Sequence, residues 1–494
     1  MKTFLLTFLG LATGAFSLSA QTGVYVPELA AFDTAMINLL NDYDVPGGQL
    51  AITYEGRLVY NRGFGLAEVP NQDSVTPQHV FRIASVSKTI TGVACVKLHE
   101  EGMLDLDAKV FGPSGILNDA QYQNMLDPRD TLITVRMLLH HSGGWNSSIA
   151  GDPMFNAYNI ATVMGVPSPP SEEVTIQYIL AHKMLNFTPG TQYAYSNFGY
   201  CVLGRVIEKV SGMSYVDYVQ SKIFNPLNIH DTQLGFNLEE NKLTHEVSYY
   251  DYPGAGTANS IYDNSTQVSW PYGGFNLEFM DAHGGWVSSA ESLVKFVCGI
   301  DQFSSRPDIL DNASLDTLTQ PSPNNPNYAL GIQVNQNGNW WHNGSLPGTT
   351  SEIVRNGNGK LNWAILLNTR DQAGNINTAT DLLVWNVLPS ISSWPSHDLF
   401  DTTTNIQEAS TLAPISVFPN PANEKLSVTL RNDKGLGLHI RLFNSVGQLV
   451  HRQYAGIGVK TTSIDVSKLA TGMYLMEVLT DDHQQYREKV IIAR

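Results

Sequence analysis

Ser85-Val86-Ser87-Lys88 sets a hydroxyl and an amine three residues apart, a spacing that makes them neighbours on one face of a helix. A serine hydroxyl is a weak nucleophile until something takes its proton, so a lysine one turn away is a candidate activator for covalent attack on a carbonyl. Alone the pattern is common. Its company is two polar triplets downstream, Tyr195-Ser196-Asn197 and His342-Asn343-Gly344. Other chemistry-bearing residues offer less. His140 and His141 diverge if helical, and no Asp, Glu or Cys stands at ligand spacing from them, so no metal is expected. His283, beside Gly284-Gly285, is a candidate to line the cleft and is given no further role. Cys95, Cys201 and Cys298 are an odd number in apolar helical patterns, and read as buried core residues rather than nucleophiles or ligands.

The elements that must position these groups follow from periodicity. Gln49 to Tyr54 and Leu58 to Tyr60 flank Glu55-Gly56-Arg57 as a β-hairpin. The helix opening at Ser85 carries Ile90, Val93, Ala94 and Leu98 on one stripe and stops at Gly102. Ser288 and Glu291 have capping-box spacing ahead of Leu293, Phe296, Val297 and Ile300. Three β-type stretches follow, Tyr328 to Val334, Trp340 to Ser345 with Thr350 to Val354, and Leu361 to Leu367. The Asn/Gly-rich turns between them imply an antiparallel meander, with His342-Asn343-Gly344 on one strand. Helices mid-chain with strands at both ends predict an α+β fold whose terminal strands meet in one antiparallel sheet flanked by helices.

The 494 residues allow one large domain and a smaller one, and a hydrophobic fraction of 43% allows a full core. The 29 basic and 45 acidic residues give a net charge of −16, which disfavours nucleic acid and anionic membrane surfaces as partners. Lys2, the apolar run from Phe4 to Phe16, and Ser17, Ser19 and Ala20 make a three-part signal peptide over residues 1–20, cut before Gln21 or one residue earlier. The apolar run is too short to span a bilayer, and no later segment reaches spanning length. Around Phe400 the chain turns polar and aperiodic, a linker over 399–412. Alternating short strands over 413–494 then predict a small all-β sandwich.

The three motifs stand in the order in which penicillin-recognising serine enzymes carry S-x-x-K, Y-x-N and K/H-x-G. The region from Leu50 to Thr369 resembles the class C β-lactamase and D-Ala-D-Ala carboxypeptidase family. Connecting text carries the resemblance further: Phe81-Arg82-Ile83-Ala84, Glu101-Gly102-Met103-Leu104-Asp105-Leu106-Asp107, Leu138-Leu139-His140-His141-Ser142-Gly143-Gly144, Thr188-Pro189-Gly190-Thr191 and Gly284-Gly285-Trp286-Val287-Ser288-Ser289-Ala290. The resemblance implies a β-lactamase/transpeptidase-like domain over 21–398 with a helical subdomain. It implies that Ser85 forms an acyl-enzyme, with Lys88 and Tyr195 sharing the proton work. A nearby ammonium would favour tyrosinate and burial would favour neutral lysine, and sequence leaves open which is the base in each step.

Asn197 is expected to bind the substrate's acyl side or Lys88, and it also fits a helix cap before Phe198. Asn343 and Gly344 are expected at the substrate, with the backbone amides of Ser85 and Ser345 as oxyanion hole. His342, where lysine is usual in β-lactamases of this class, would bind a substrate carboxylate when protonated near its ordinary pKa, or else be a strand residue satisfied by its neighbours. No cofactor is implied. The substrate would be a small molecule or peptide with a carbonyl centre, and the contrasting reading is a non-catalytic receptor for peptidoglycan-like ligands. The insert from Ser147 to Pro170 and the loop from Tyr249 to Phe279 are expected to wall the cleft.

The C-terminal segment resembles the type A sorting domain of type IX secretion. The marks are Val417-Phe418-Pro419-Asn420-Pro421, Ile440 to Gly447, Leu469-Ala470-Thr471-Gly472-Met473-Tyr474 and a basic last strand. That implies the type IX machinery as partner and a secreted or surface-attached protein.

Overall fold

The computed structural model describes residues 21–400 and 415–493, apart from 419–421, 431–437, 445–448, 457–458, 460 and 481–484. The expected signal peptide, most of the linker, and parts of the Val417–Pro421 and Asn444–Gly447 segments lie outside those residues. The chain divides after Leu399 into two compact units.

The larger unit is built on one antiparallel sheet between helices. Its long elements in chain order are α1 (Ala30–Asp42), β1 (Gly47–Tyr54), β2 (Arg57–Glu68), α2 (Ser87–Glu100), α3 (Asn197–Ser211), α4 (Ala290–Cys298), β3 (Trp340–Leu346), β4 (Thr349–Asn356), β5 (Leu361–Leu367) and α5 (Asn375–Val387). The strands lie in the order β2-β1-β5-β4-β3, with short strands at both margins. β5 pairs with β1 from Leu361 opposite Tyr54 to Leu367 opposite Gly48, so the two ends of the domain share its centre, as the sequence predicts. Glu55 and Gly56 both have positive φ, the geometry a two-residue hairpin turn demands.

Period-two alternation assigns the faces. Leu50, Ile52, Trp363 and Ile365 pack with Phe32 and Met36 of α1 and Leu383 and Val384 of α5. On the opposite face Gln49 accepts from the Ala290 amide at the start of α4, and Asn362 reaches Cys298 and Asp301. The α4 cap is Ser289, whose Oγ accepts from the Ser292 amide, and not the expected Ser288, whose hydroxyl pairs with Thr232. α2 is buried nearly all round, as befits a central helix. A Cβ on Gly92 would lie 2.2 Å from the Leu330 carbonyl, so only glycine lets that loop approach. All three cysteines are free and buried.

The smaller unit has two antiparallel sheets. Ile415–Phe418, Lys425–Leu430 and Thr461–Asp465 form one; Leu449–Ala455, Leu438–Phe443, Gly472–Thr480 and Gln485–Ile492 form the other. Leu426, Val428 and Ile464 from the first share a core with Ile440, Leu442, Met476 and Val490 from the second. Among the described residues no helix is long and apolar enough to cross a membrane.

Candidate active site

Ser85 sits in a 3-10 turn, Ala84–Val86, that runs straight into α2; the expected α-helix therefore starts two residues later than the serine. Ala84, just before it, has φ +46°, a left-handed conformation that costs a non-glycine residue about 1–2 kcal/mol. The turn is held from beneath by the sheet: Thr349 Oγ1 donates to the Arg82 carbonyl at 2.8 Å and Ser351 Oγ to the Ile83 carbonyl at 2.6 Å. Arg82 itself is buried, donates to the Pro271 and Phe236 carbonyls at 2.7 and 2.9 Å, and lies over the Tyr249 ring. The loop from Tyr249 to Phe279 is thus anchored on the segment that carries the nucleophile.

Lys88, fully buried on the first turn of α2, donates to Ser85 Oγ at 3.1 Å and to the His283 carbonyl at 2.8 Å. Burial lowers its pKa to about 7, against which the nearby Asp152 carboxylate acts. The Tyr195 ring centroid lies 4.9 Å from Lys88 Nζ. Burial pushes its phenol well above the usual value, against the lowering influence of Ser85. Ser85, Lys88 and Tyr195 are therefore brought together, and the shifts favour neutral lysine over tyrosinate.

The segment carrying Tyr195 is clamped by His141, which the sequence treats as structural. The His141 carbonyl accepts from the Ala194 amide at 2.8 Å and its Nδ1 from the Ser196 amide at 3.1 Å, while its ring lies 4.3 Å from the Tyr195 ring. His140 instead faces the Gln320 carbonyl. An amide can only donate, so His141 Nδ1 is unprotonated and Nε2 carries the hydrogen. That Nε2 meets Tyr328 OH at 3.0 Å, and Tyr328 OH meets His342 Nε2 at 3.2 Å. His342 Nδ1 lies 2.6 Å from the Asn343 carbonyl, which can only accept. The direction of every bond follows: Ser196 to His141 to Tyr328 to His342 to Asn343.

His342 therefore sits buried and neutral, with both ring nitrogens used and its pKa lowered by burial to about 3. The expected imidazolium for a substrate carboxylate is not formed there; the reading of a strand residue satisfied by its neighbours fits. Tyr328 is the link the sequence missed, because nothing in its local text marks it.

The remaining third-motif residues divide by face. Gly344, opposite Ser351, faces the nucleophile: a Cβ on it would lie 2.5 Å from the Ile83 carbonyl and 2.9 Å from the Ser85 amide nitrogen. Asn343, opposite Glu352, shares a face with Trp341, and its Oδ1 accepts from Gln333 at 3.2 Å. Its side chain is thus turned away from the face of His342, contrary to a substrate-binding role through the amide group. Ser345 follows on the same strand with its side chain exposed.

Asn197 is the first residue of α3, and the cap is Ser196, whose Oγ accepts from the Gly199 amide. The Asn197 amide is left free to donate to Asp152 Oδ2 at 2.6 Å. Asp152 belongs to the insert after Ser147, and no motif in the sequence marks it. His283 was near the site, as its position beside Gly284-Gly285 suggested, but it acts through its carbonyl on Lys88; burial and Lys88 hold its ring well below the ordinary pKa.

Comparison with known proteins identifies the family and the fold. Residues 32–384 match the model of the β-lactamase family, and residues 416–493 that of the secretion system C-terminal sorting domain. Protein flp of Staphylococcus aureus is 27% identical over 342 residues, 68% of this chain and 61% of that protein. The mouse mitochondrial serine β-lactamase-like protein LACTB is 26% identical over 318 residues, 52% of this chain and 54% of that protein. The chain thus spans a little over half the length of these curated relatives. Among solved structures, D-amino acid amidase from Ochrobactrum anthropi superposes with a TM-score of 0.55 at 22% identity, covering 73% of this chain and 99% of the amidase. The penicillin-binding protein homologue from Pyrococcus abyssi gives 0.53 at 21%, covering 94% and 96%. The protein belongs to the β-lactamase and penicillin-binding-protein-like family of serine hydrolases, and carries a C-terminal secretion sorting domain.

Proposed function

We propose that this protein hydrolyses an amide or ester through an acyl-enzyme on Ser85. The observation that carries the reading is a fully buried lysine, its pKa near 7, in hydrogen-bond contact with the serine hydroxyl. Ser85 Oγ attacks the carbonyl carbon while its proton passes to neutral Lys88. The oxyanion is held by the Ser85 and Ser345 amides, each such donor being worth about 2.7–4 kcal/mol of barrier lowering. As the C–N or C–O bond breaks, Tyr195 hands a proton to the leaving group and is reprotonated from Lys88. Water then attacks the acyl carbon, giving its proton to the same pair and releasing acid and free Ser85.

The names of structural neighbours, a D-amino acid amidase and EstCE1, a hydrolase with promiscuous acyltransferase activity, support an amide substrate and an acyl-transfer route. The C-terminal domain is inferred to deliver the chain across the outer membrane through type IX machinery after the N-terminal signal is used, leaving it secreted or surface-attached. Hydrolysis of p-nitrophenyl acetate, nitrocefin and a D-alanyl-D-alanine peptide tests the activity. Turnover of any of these that is lost in Ser85→Ala supports it; a folded protein with no turnover and no labelling by a fluorophosphonate would point to the receptor reading.

A further inference from the structure

The polar groups around Ser85 carry an unusual sign. A cleft that receives a substrate carboxylate needs a fixed cation or free N–H donors, yet the His141-Tyr328-His342 chain spends its ring nitrogens internally. Lys88, the amine of the motif, is committed to Ser85 and the His283 carbonyl.

Close enough to Lys88 and Tyr195 to act on both stands a carboxylate instead. Asp152 Oδ1 accepts from the Met154 amide at 3.0 Å and Oδ2 from Asn197 Nδ2 at 2.6 Å, so the group is fixed at two points. It makes no ion pair among the described residues. It is half-buried, and its charge reaches both Lys88 and Tyr195. A carboxylate only accepts, so the Asn197 amide must present its nitrogen to Asp152 and keep Oδ1 as a second acceptor. Two acceptors and a negative charge, held together through Asn197 two residues along the chain from Tyr195, match a donor with a positive charge. Asp152 and Asn197 also line a hollow with Trp145, Asn156 and Tyr178. The cation on that hollow's wall, Lys183, lies over the Tyr178 ring at 5.8 Å and is not paired with Asp152.

We propose that Asp152, oriented by Asn197, is a specificity residue that selects substrates bearing a free ammonium beside the scissile carbonyl: amides or esters of an amino acid, or of a peptide with an unblocked amine. This rests on the acyl-enzyme reading above. An ammonium supplies three donors and one charge, which the two oxygens take up. An N-acylated or anionic substrate would leave Asp152 facing a neutral or like-charged group, a cost that sets specificity by exclusion as well as by attraction.

The test compares kcat/KM of the full chain on alanine p-nitroanilides of both configurations with the amine free, N-acetylated and N-succinylated, beside p-nitrophenyl acetate. The expected order for one configuration is free amine over acetyl by at least tenfold, with succinyl lowest. In Asp152→Asn the free-amine to acetyl ratio falls to near one, and in Asp152→Lys the succinyl substrate becomes the best of the three. Acetate turnover that is lost in Ser85→Ala reports the nucleophile separately. If acetate is turned over but the free-amine anilides are not preferred, or their preference survives Asp152→Asn, the role of Asp152 is overturned while the acyl-enzyme stands. If acetate is not turned over and no serine probe labels the protein, both fall.

Discussion

Replacing Lys88 with methionine should abolish hydrolysis and at the same time stabilise the fold, because the lysine is kept against its own solvation. Its pKa in the unfolded chain is about 10.4, while in the folded protein burial brings it to about 7. The folded state thus binds fewer protons than the unfolded state between those values, so wild-type stability rises as pH climbs from 7 to 10.4. Below pH 7 the full penalty applies, and at about 1.4 kcal/mol per unit it amounts to roughly 4–5 kcal/mol. The substitution also orphans the His283 carbonyl, which costs about 1–3 kcal/mol. The net gain for Lys88→Met at pH 6–7 is therefore about 1–4 kcal/mol, shrinking to nothing or reversing by pH 10.5. Urea unfolding of both proteins from pH 6 to 10 reads it directly. The activity side has the matching sign: neutral lysine is the competent form, so kcat/KM on a neutral ester should rise about tenfold between pH 6 and 8, from about 9% to about 91% deprotonated. A flat profile across that range, or a Lys88→Met protein that is less stable than wild type at pH 6, would refute the neutral-lysine argument.

Gly344→Ala should cut kcat by at least about tenfold with the fold retained, since its Cβ must push β3 away from the Ser85 amide; single-turnover kinetics with a chromogenic ester, beside circular dichroism, separate the two effects. Tyr328→Phe removes the donor to His342 Nε2 and the acceptor of His141 Nε2, so stability should fall by about 1–3 kcal/mol for each buried group left unpaired, read by urea titration. Glu352, fully buried on β4, has its carboxyl pushed well above the usual range by burial and by Asp381 of α5. With the folded pKa raised, its contribution to stability is intact below about pH 4.5 and lost as pH rises. Glu352→Gln should accordingly match wild type near pH 4 and exceed it in melting temperature at pH 8.

The centre of the fold was legible because it is written in local rules. The Glu55-Gly56 turn fixes its hairpin, and unbroken apolar runs such as Trp363 to Leu367 mark strands buried on both faces. Their pairing across 307 or more residues, Leu361 with Tyr54, followed from placing helices between the terminal strands rather than from any residue signal. Helix starts were less legible: Ser288 and Ser289 both satisfy a capping rule, and the choice fell to Thr232, which claims the Ser288 hydroxyl from a distant part of the chain. The three-residue spacing of Ser85 and Lys88 survived the 3-10 turn, because a tighter helix still keeps such residues on one side.

The site shows where motif reading stops. Ser85, Lys88 and Tyr195 are identified by type and spacing, but their protonation is set by groups without a motif: the His283 carbonyl, the apolar surroundings of α2 and the charge of Asp152. His342 occupies a motif position and carries the residue type of a pH-titrating cation, yet Tyr328, fourteen residues upstream, removes that option by donating to it. The same chain that neutralises His342 ends on His141, which holds the backbone on both sides of Tyr195. Preorganising the tyrosine and excluding a cation from the third motif are thus one structural device. With that cation gone, the proposed selection of substrate charge by the fixed carboxylate of Asp152 rests on a tyrosine and an aspartate that no short motif includes.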